Sequence, residues 1–587
     1  MREPSIHLYF EPPDRDGDTG ERGVDTAPGL TYVPTAVLER HGARVLVPGR
    51  AAVVADYPAP RSTVYRARSL LIPADLLPQA AQQRVEFFEA ANAVLASVGM
   101  RLALPAFQDR EFRGGSEVAD VLQRLPRPVV LKPAEPAEGR VALPVVVDAW
   151  VALQALRAAA SSHRNQVLTE DAVRRIALEH LLIGSAITGS PATEGNGVSG
   201  SPATEGNGVT GPSSTDSYVY AGGDTRAPVA VPYDAPKRIP DDKLDFRRPV
   251  VAVLDTGVRT HPWLDVRSDP ASPTVTGGFV ADDPGIQNAI YIDSEAVAAA
   301  GDTPRQLIRT VWDAPVTADP LIGELDTDTG HGTFIAGIVR QVAPDAQVLA
   351  IRIMHSDGVV YEGDLVNGLA LLADRIAGAE AANMPRMVDV VSLSLGYFDE
   401  TTADVTYSSG LWLLIRLLLS MGVPVVAAAG NYSTSRRFYP AAFSLVPTPG
   451  VDVPLISVGA LNPAGSQALF SDGGRWITAW ASGASIVSTF PVDINGSRTP
   501  EVRARPNPGN YVPPGLPADR EALDPDNYRG GFAVWSGTSF SAPLLAAHLA
   551  RALLEMSARP GLSLSLAGEL KARERATAAL HDMGWQG

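Results

Sequence analysis

From residue 248 onward the chain repeats one pattern: short, almost fully apolar runs rich in β-branched residues, separated by longer stretches with helical spacing. The runs lie at 248–255 (RPVVAVLD), 346–353 (AQVLAIRI), 387–396 (MVDVVSLSLG), 423–431 (VPVVAAAGN) and 454–460 (PLISVGA). Residues 363–383 and 408–422 carry the spacing of buried helices. Continuously apolar strands alternating with helices predict an α/β fold whose parallel sheet is covered on both faces. In such folds chemistry collects at the carboxyl ends of strands, and two of these runs end in polar residues, Asp255 and Asn431.

The first 187 residues read differently. Residues 62–72 and 126–133 alternate in the manner of strands, whereas 76–99, 148–163 and 168–184 have helical spacing, the last with Thr169 as its N-cap. An α+β domain is expected over 1–187. It is followed at 189–199 by GSPATEGNGVS and at 200–210 by GSPATEGNGVT, an eleven-residue repeat almost without large apolar side chains. Such a segment buries too little to offset the entropy of ordering its backbone, so 188–245 is expected to be a flexible linker and 246–587 a second domain.

Composition narrows the function. The 587 residues hold 49 Lys and Arg against 65 Asp and Glu, a net charge of −16, which argues against nucleic acid or an anionic membrane as partner. There is no cysteine, which excludes a thiol nucleophile, disulfides and thiolate metal sites. The acidic stretch 14–21 lacks the spacing of a calcium loop and reads as a solvated arm. With no apolar segment resembling a signal or a membrane span, cytoplasmic residence is expected.

A serine nucleophile needs a base, and the base needs an orienting carboxylate. Asp255 closes an apolar strand in VVAVLDTGV, His331 lies between glycines in TGHGTFIAGIV ahead of a helical pattern, and Ser539 opens a helix in SGTSFSAP. Each motif is weak alone. In the order Asp, His, Ser, with AAAGN at 427–431 and SLSLG at 392–396 between them, they resemble the subtilisin-like serine proteases, the subtilases. Phe334, after HGT, stands where the family usually has His and is expected to be a core substitution.

The resemblance implies a subtilisin-like fold over roughly 245–560 and acyl transfer with Ser539 as nucleophile, His331 as general base and Asp255 as its orienter. It also implies Asn431 as oxyanion donor, and a substrate cleft walled by Ser394, Leu395 and Gly396 on one side and Ala428, Ala429 and Gly430 on the other. Phe438, before the Tyr439-Pro440 pair, is expected to fill the bottom of that cleft and favour small side chains before the cut bond. The expected partner is a protein or peptide substrate. No cofactor is required; structural calcium is frequent in the family, but no ligand set stands out. A peptide ligase working through the same acyl-enzyme, and a catalytically dead binding scaffold, are the alternatives. Residues 1–187 fit two roles, an inhibitory prosegment or a docking domain for a partner or substrate.

Overall fold

The computed structural model describes residues 8–10, 33–185, 226–494 and 528–585, each span with short interruptions, and a few isolated residues between 495 and 527. The acidic stretch 14–21, the eleven-residue repeat and most of the Pro-rich insertion at 490–530 lie outside the described residues.

The second half is built on an eight-stranded sheet in the order Leu8–Phe10, Ala479–Ser482, Leu455–Leu461, Val425–Ala428, Val390–Leu393, Val250–Asp255, Gln347–Arg352, Val280–Asp282. All pairings are parallel except the antiparallel edge strand Leu8–Phe10. Alternate residues of a strand face opposite sides. Ala252 and Leu254 therefore enter a core with helices Pro284–Ala300, Glu362–Ala382 and Gly410–Ser420. Val251 and Val253 enter another with His331–Val342 and Thr538–Met556. Burial on both faces explains why these strands read as unbroken apolar runs. The expected fold class is the observed one.

The N-terminal unit is α+β, with its own core around Leu70, Trp150 and Leu178. Helices Gln82–Ala96 and Ala149–Ser161 pack with strands Val64–Pro73, Met100–Ala103 and Pro126–Pro133. One expectation fails. Residues 168–184 are not one helix: Thr169 does cap a short helix, Glu170–Arg174, accepting from the Ala172 amide, but Ala177–Gly184 is a strand. Its partners explain the change. It pairs with Val64–Pro73 inside its own unit, and its far end slots between Val359–Tyr361 and Leu395–Phe398 of the second half. The N-terminal sheet thus runs directly into the second half.

The second unit also begins earlier than 246. Ala227–Pro228 pairs with the strand Phe532–Trp535, and the Arg226 guanidinium donates to the carbonyls of Asp326, Thr327 and Thr329. Low apolar content hid this, because the segment is held by backbone and guanidinium hydrogen bonds. Among the described residues no helix is long and apolar enough to cross a membrane.

Candidate active site

Asp255 ends the central strand Val250–Asp255 and turns its carboxylate onto the helix His331–Val342. Its Oδ1 accepts from the Thr256 amide at 2.7 Å and lies 2.7 Å from His331 Nδ1. The two loops approach so closely that a Cβ at Gly332 would lie 2.1 Å from the Gly257 carbonyl oxygen, so the second glycine of GHG leaves room for the loop of DTG. Gly330 takes a positive φ of 82° to start the helix, a conformation that favours glycine. A residue outside the expected set joins the loops: Asp313 Oδ2 accepts from the Gly330 amide and the Thr256 hydroxyl, while Thr256 Oγ1 accepts from the Gly332 amide. Phe334 is a buried ring against Phe540 and Trp535.

The His331 ring is fully buried, edge-on to Trp535. Burial alone would lower its pKa. The charge and hydrogen bond of Asp255 outweigh burial, with Asp328 and Asp313 adding, so the imidazole holds a proton more tightly than an ordinary histidine. That is what a general base needs once it has taken a proton.

Ser539 stands in the first turn of helix Thr538–Met556. Its hydroxyl donates to the Ser394 carbonyl at 3.2 Å, and among the described residues His331 Nε2 has no hydrogen-bond partner. The structure therefore pairs Asp255 with His331 and packs the His331 ring near Phe540, the neighbour of Ser539, while the serine hydroxyl is given to Ser394. Asn431 lies alongside, its orientation set from behind: Oδ1 accepts from both the amide and the hydroxyl of Thr538. Thr538, which precedes the serine in the SGTSFSAP motif, is a supporting residue whose role the motif did not assign.

The end of the N-terminal unit occupies this site. The Ser185 carbonyl oxygen accepts from the Ser539 amide at 2.9 Å and from Asn431 Nδ2 at 2.5 Å. Upstream, the Ser185 amide donates to Ser394 O and the Gly184 amide to Gly358 O. Gly184 stands opposite Leu395, and Ile183 lies between Gly396 and Val359. Ser394, Leu395 and Gly396 thus form one wall of the cleft and contact an occupant. Ala428 and Ala429 are fully buried in the strand and turn that lead to Gly430 and Asn431. The Phe438 ring lies between the walls, 2.3 Å from where a Cβ on Gly396 would be and 3.2 Å from one on Gly430. Arg436 donates to the carbonyls of Ser62 and Asp399 and stacks on Phe398.

Charged pairs clamp the N-terminal unit beside the cleft. Arg305, almost fully buried, pairs with Glu179 and Asp364. His180 has Glu362 at 2.7 Å from Nδ1 and Glu400 at 2.8 Å from Nε2, and stacks on Tyr397. Burial opposes its charge, but the two glutamates outweigh it and raise its pKa well above the ordinary value. His180, Asp399 and Glu400 are the one group of described residues whose donor atoms gather as a metal set does, and both imidazole nitrogens are already taken by carboxylates.

Residues 247–578 match the subtilase family, peptidase S8. A thermophilic serine proteinase of Bacillus sp. (strain AK1) is 32% identical over 178 residues, covering 29% of this chain and 37% of that one. Subtilisin E of Bacillus subtilis (strain 168) is 31% identical over 192 residues, 30% of this chain and 43% of that one. The alignment with thermitase of Thermoactinomyces vulgaris, 30% identical, covers 30% of this chain and 58% of that protein. A solved cold-adapted subtilisin-like serine proteinase aligns over 58% of this chain and 86% of its own at 18% identity, with a TM-score of 0.30. The alignments with the first two relatives span less than half of either. The family match itself runs over more than half of this chain and contains every residue of the Asp-His-Ser constellation, so the chain belongs to the subtilase family of serine proteases.

Proposed function

We propose that the chain is a serine endopeptidase made as a zymogen, with residues 1–185 as its prosegment and Ser185–Ala186 as the first bond it cuts. One observation carries the reading: the Ser185 carbonyl oxygen is held by the Ser539 amide and the Asn431 side chain, the two donors that would stabilise a tetrahedral oxyanion. Cutting requires the Ser539 hydroxyl to turn from Ser394 O to His331 Nε2. Its oxygen then attacks the Ser185 carbonyl carbon while His331 takes the proton. Asp255 holds the imidazole and offsets its charge, and His331 returns the proton to the departing Ala186 amine. Water releases the acyl group by the same route. N-terminal sequencing of the purified wild type should find a chain beginning at Ala186. A wild type that stays whole, and hydrolyses no peptide, overturns the reading.

The occupant also indicates a substrate class. A serine sits before the cut bond, where Phe438 takes up the space between Gly396 and Gly430, and this supports a preference for small side chains there. Crowding a large side chain into such a filled pocket costs about 1–3 kcal/mol. Cleavage of a peptide library should therefore be led by Ser, Ala or Gly before the cut, and Phe438→Ala should shift it towards Leu and Phe by roughly tenfold or more. An unchanged library profile in the variant contradicts this role for the ring.

His180 makes retention of the prosegment pH-dependent. Free histidine titrates near 6.5. In the docked state Glu362 and Glu400 raise that value, with Asp399 and Tyr397 as the other titratable neighbours. A raised folded-state pKa gives a contribution that is complete below about pH 6.5 and fades as pH rises through the raised value. In a chain kept whole by Ser539→Ala, the thermal midpoint should fall as pH rises above about 6.5, and His180→Gln should flatten that fall. Parallel curves for the two chains would remove His180 from this role.

A further inference from the structure

The side chain of Asp328 is buried three residues before His331, and apart from adding its charge to that of Asp255 on the imidazole it has no part in the chemistry above. The Asp328 amide donates to Ser356 O, and Asp328 Oδ2 accepts from the Thr327 hydroxyl. Oδ1 has no hydrogen-bond partner among the described residues. What it faces is the occupant of the cleft. A Cβ built on Gly184 would lie 2.9 Å from Oδ1 and 3.3 Å from Met354 Sδ. The carboxylate also packs closely on Gly358, where a built Cβ would lie 2.5 Å from Oδ2. Gly184 cannot retreat, since its amide is bonded to Gly358 O and its register is fixed opposite Leu395.

We infer that Asp328 is a specificity-determining residue that makes the enzyme demand glycine at the second position before the cut bond, so that its substrates carry Gly followed by a small residue. The inference rests on the cleft assignment above and deepens it. The carboxylate closes the subsite by shape, leaving room for a Cα hydrogen and for nothing larger. It also leaves one buried oxygen unpaired, a cost tolerated where it excludes other residues. Three Gly-Ser pairs stand at the junction of prosegment and linker: Gly184-Ser185, Gly189-Ser190 and Gly200-Ser201. The last two precede Pro191 and Pro202, whose ring nitrogens replace the ordinary leaving amine, so Ser185–Ala186 is the pair of this stretch suited to cutting.

The test is a ratio of self-cleavage rates measured in the full chain by intact mass. Gly184→Ala should slow the cut at Ser185–Ala186 by about tenfold to a hundredfold, the scale of forcing one more carbon into a filled site. In an Asp328→Ala background the same Gly184→Ala change should slow it by less than about threefold, because the wall is gone. Comparing ratios cancels any effect of Asp328 on His331 that is common to both chains. A peptide library given to the processed enzyme should show glycine leading at that position in the wild type and sharing it with alanine and serine in Asp328→Ala. Equal ratios in the two backgrounds overturn the inference, as does a library profile led by Lys or Arg, which would make the free oxygen a charge partner. Gly184→Ala cut at the wild-type rate, and only when Ser539 is present, also refutes it while leaving the protease reading intact.

Discussion

Ser539→Ala is expected to leave the 587-residue chain in one piece and to abolish its labelling by a fluorophosphonate, with turnover falling on the order of 10⁶-fold, the scale known for loss of the nucleophile in subtilisin. The loss is chemical, because the substitution disturbs little else. Ser394 O, which receives the serine hydroxyl, also receives the Ser185 amide, so it stays satisfied. The Ser394 hydroxyl donates to the backbone carbonyl of residue 539, which alanine retains. Alanine is also the better helix former in the first turn of Thr538–Met556. Asp255, His331 and both oxyanion donors remain, so the prosegment should stay docked and the thermal midpoint should hold or rise. Intact mass of the two purified chains side by side is the measurement. A variant still divided between 185 and 186 would remove Ser539 from the role and require a cut by another enzyme.

The second large effect is at Asn431. Asn431→Ala should lower kcat by about 10²–10³ with little change in KM, as removal of the matching donor does in subtilisin. The arrangement explains why the effect should be that large. Thr538 fixes the amide from behind through Oδ1, so Nδ2 is already aimed at the Ser185 carbonyl and needs no reorganisation as charge develops. Asn431→Asp is the control: it keeps an acceptor for Thr538 but replaces the donor with a negative oxygen, and should be at least as slow as alanine. Steady-state kinetics on a peptide ending in Gly-Ser before the cut separates kcat from KM. A loss confined to KM would mean that Asn431 binds the substrate and does not stabilise the oxyanion.

Much of this protein is legible in one dimension. Parallel strands buried on both faces must be apolar at every position, so 248–255, 346–353, 423–431 and 454–460 announce themselves without any knowledge of their neighbours. The glycines of DTG and GHG are legible for a related reason. The backbone there comes within a distance that no side chain allows, and chemistry of that kind leaves a local motif. Order along the chain then gave the expected roles of Asp255, His331, Asn431 and Ser539; the structure places Asp255 on His331, and brings the Asn431 side chain and the Ser539 amide together on the Ser185 carbonyl oxygen.

The segment 177–184 shows where local reading ends. Leu168, Ala172, Val173 and Ile176 continue into Leu181, Leu182 and Ile183, a spacing that suits a helix as well as a buried strand. The choice is made by partners far away in sequence, Val359–Tyr361 and Leu395–Phe398, which offer open backbone edges on both sides. With it went the relation between the two halves: composition led to the expectation of a tether, and could not show that Gly184 and Ser185 lie against Ser394, Asn431 and Ser539. The bonds of Asp313 and Thr538 escaped for the same reason, since each is made with a residue remote in the chain. The sequence by itself determined the fold of the second half and marked the residues of its cleft, because burial and close approach constrain residue types locally. Only the tertiary structure decided what fills that cleft, because strand pairing is made by backbone groups that every residue carries alike.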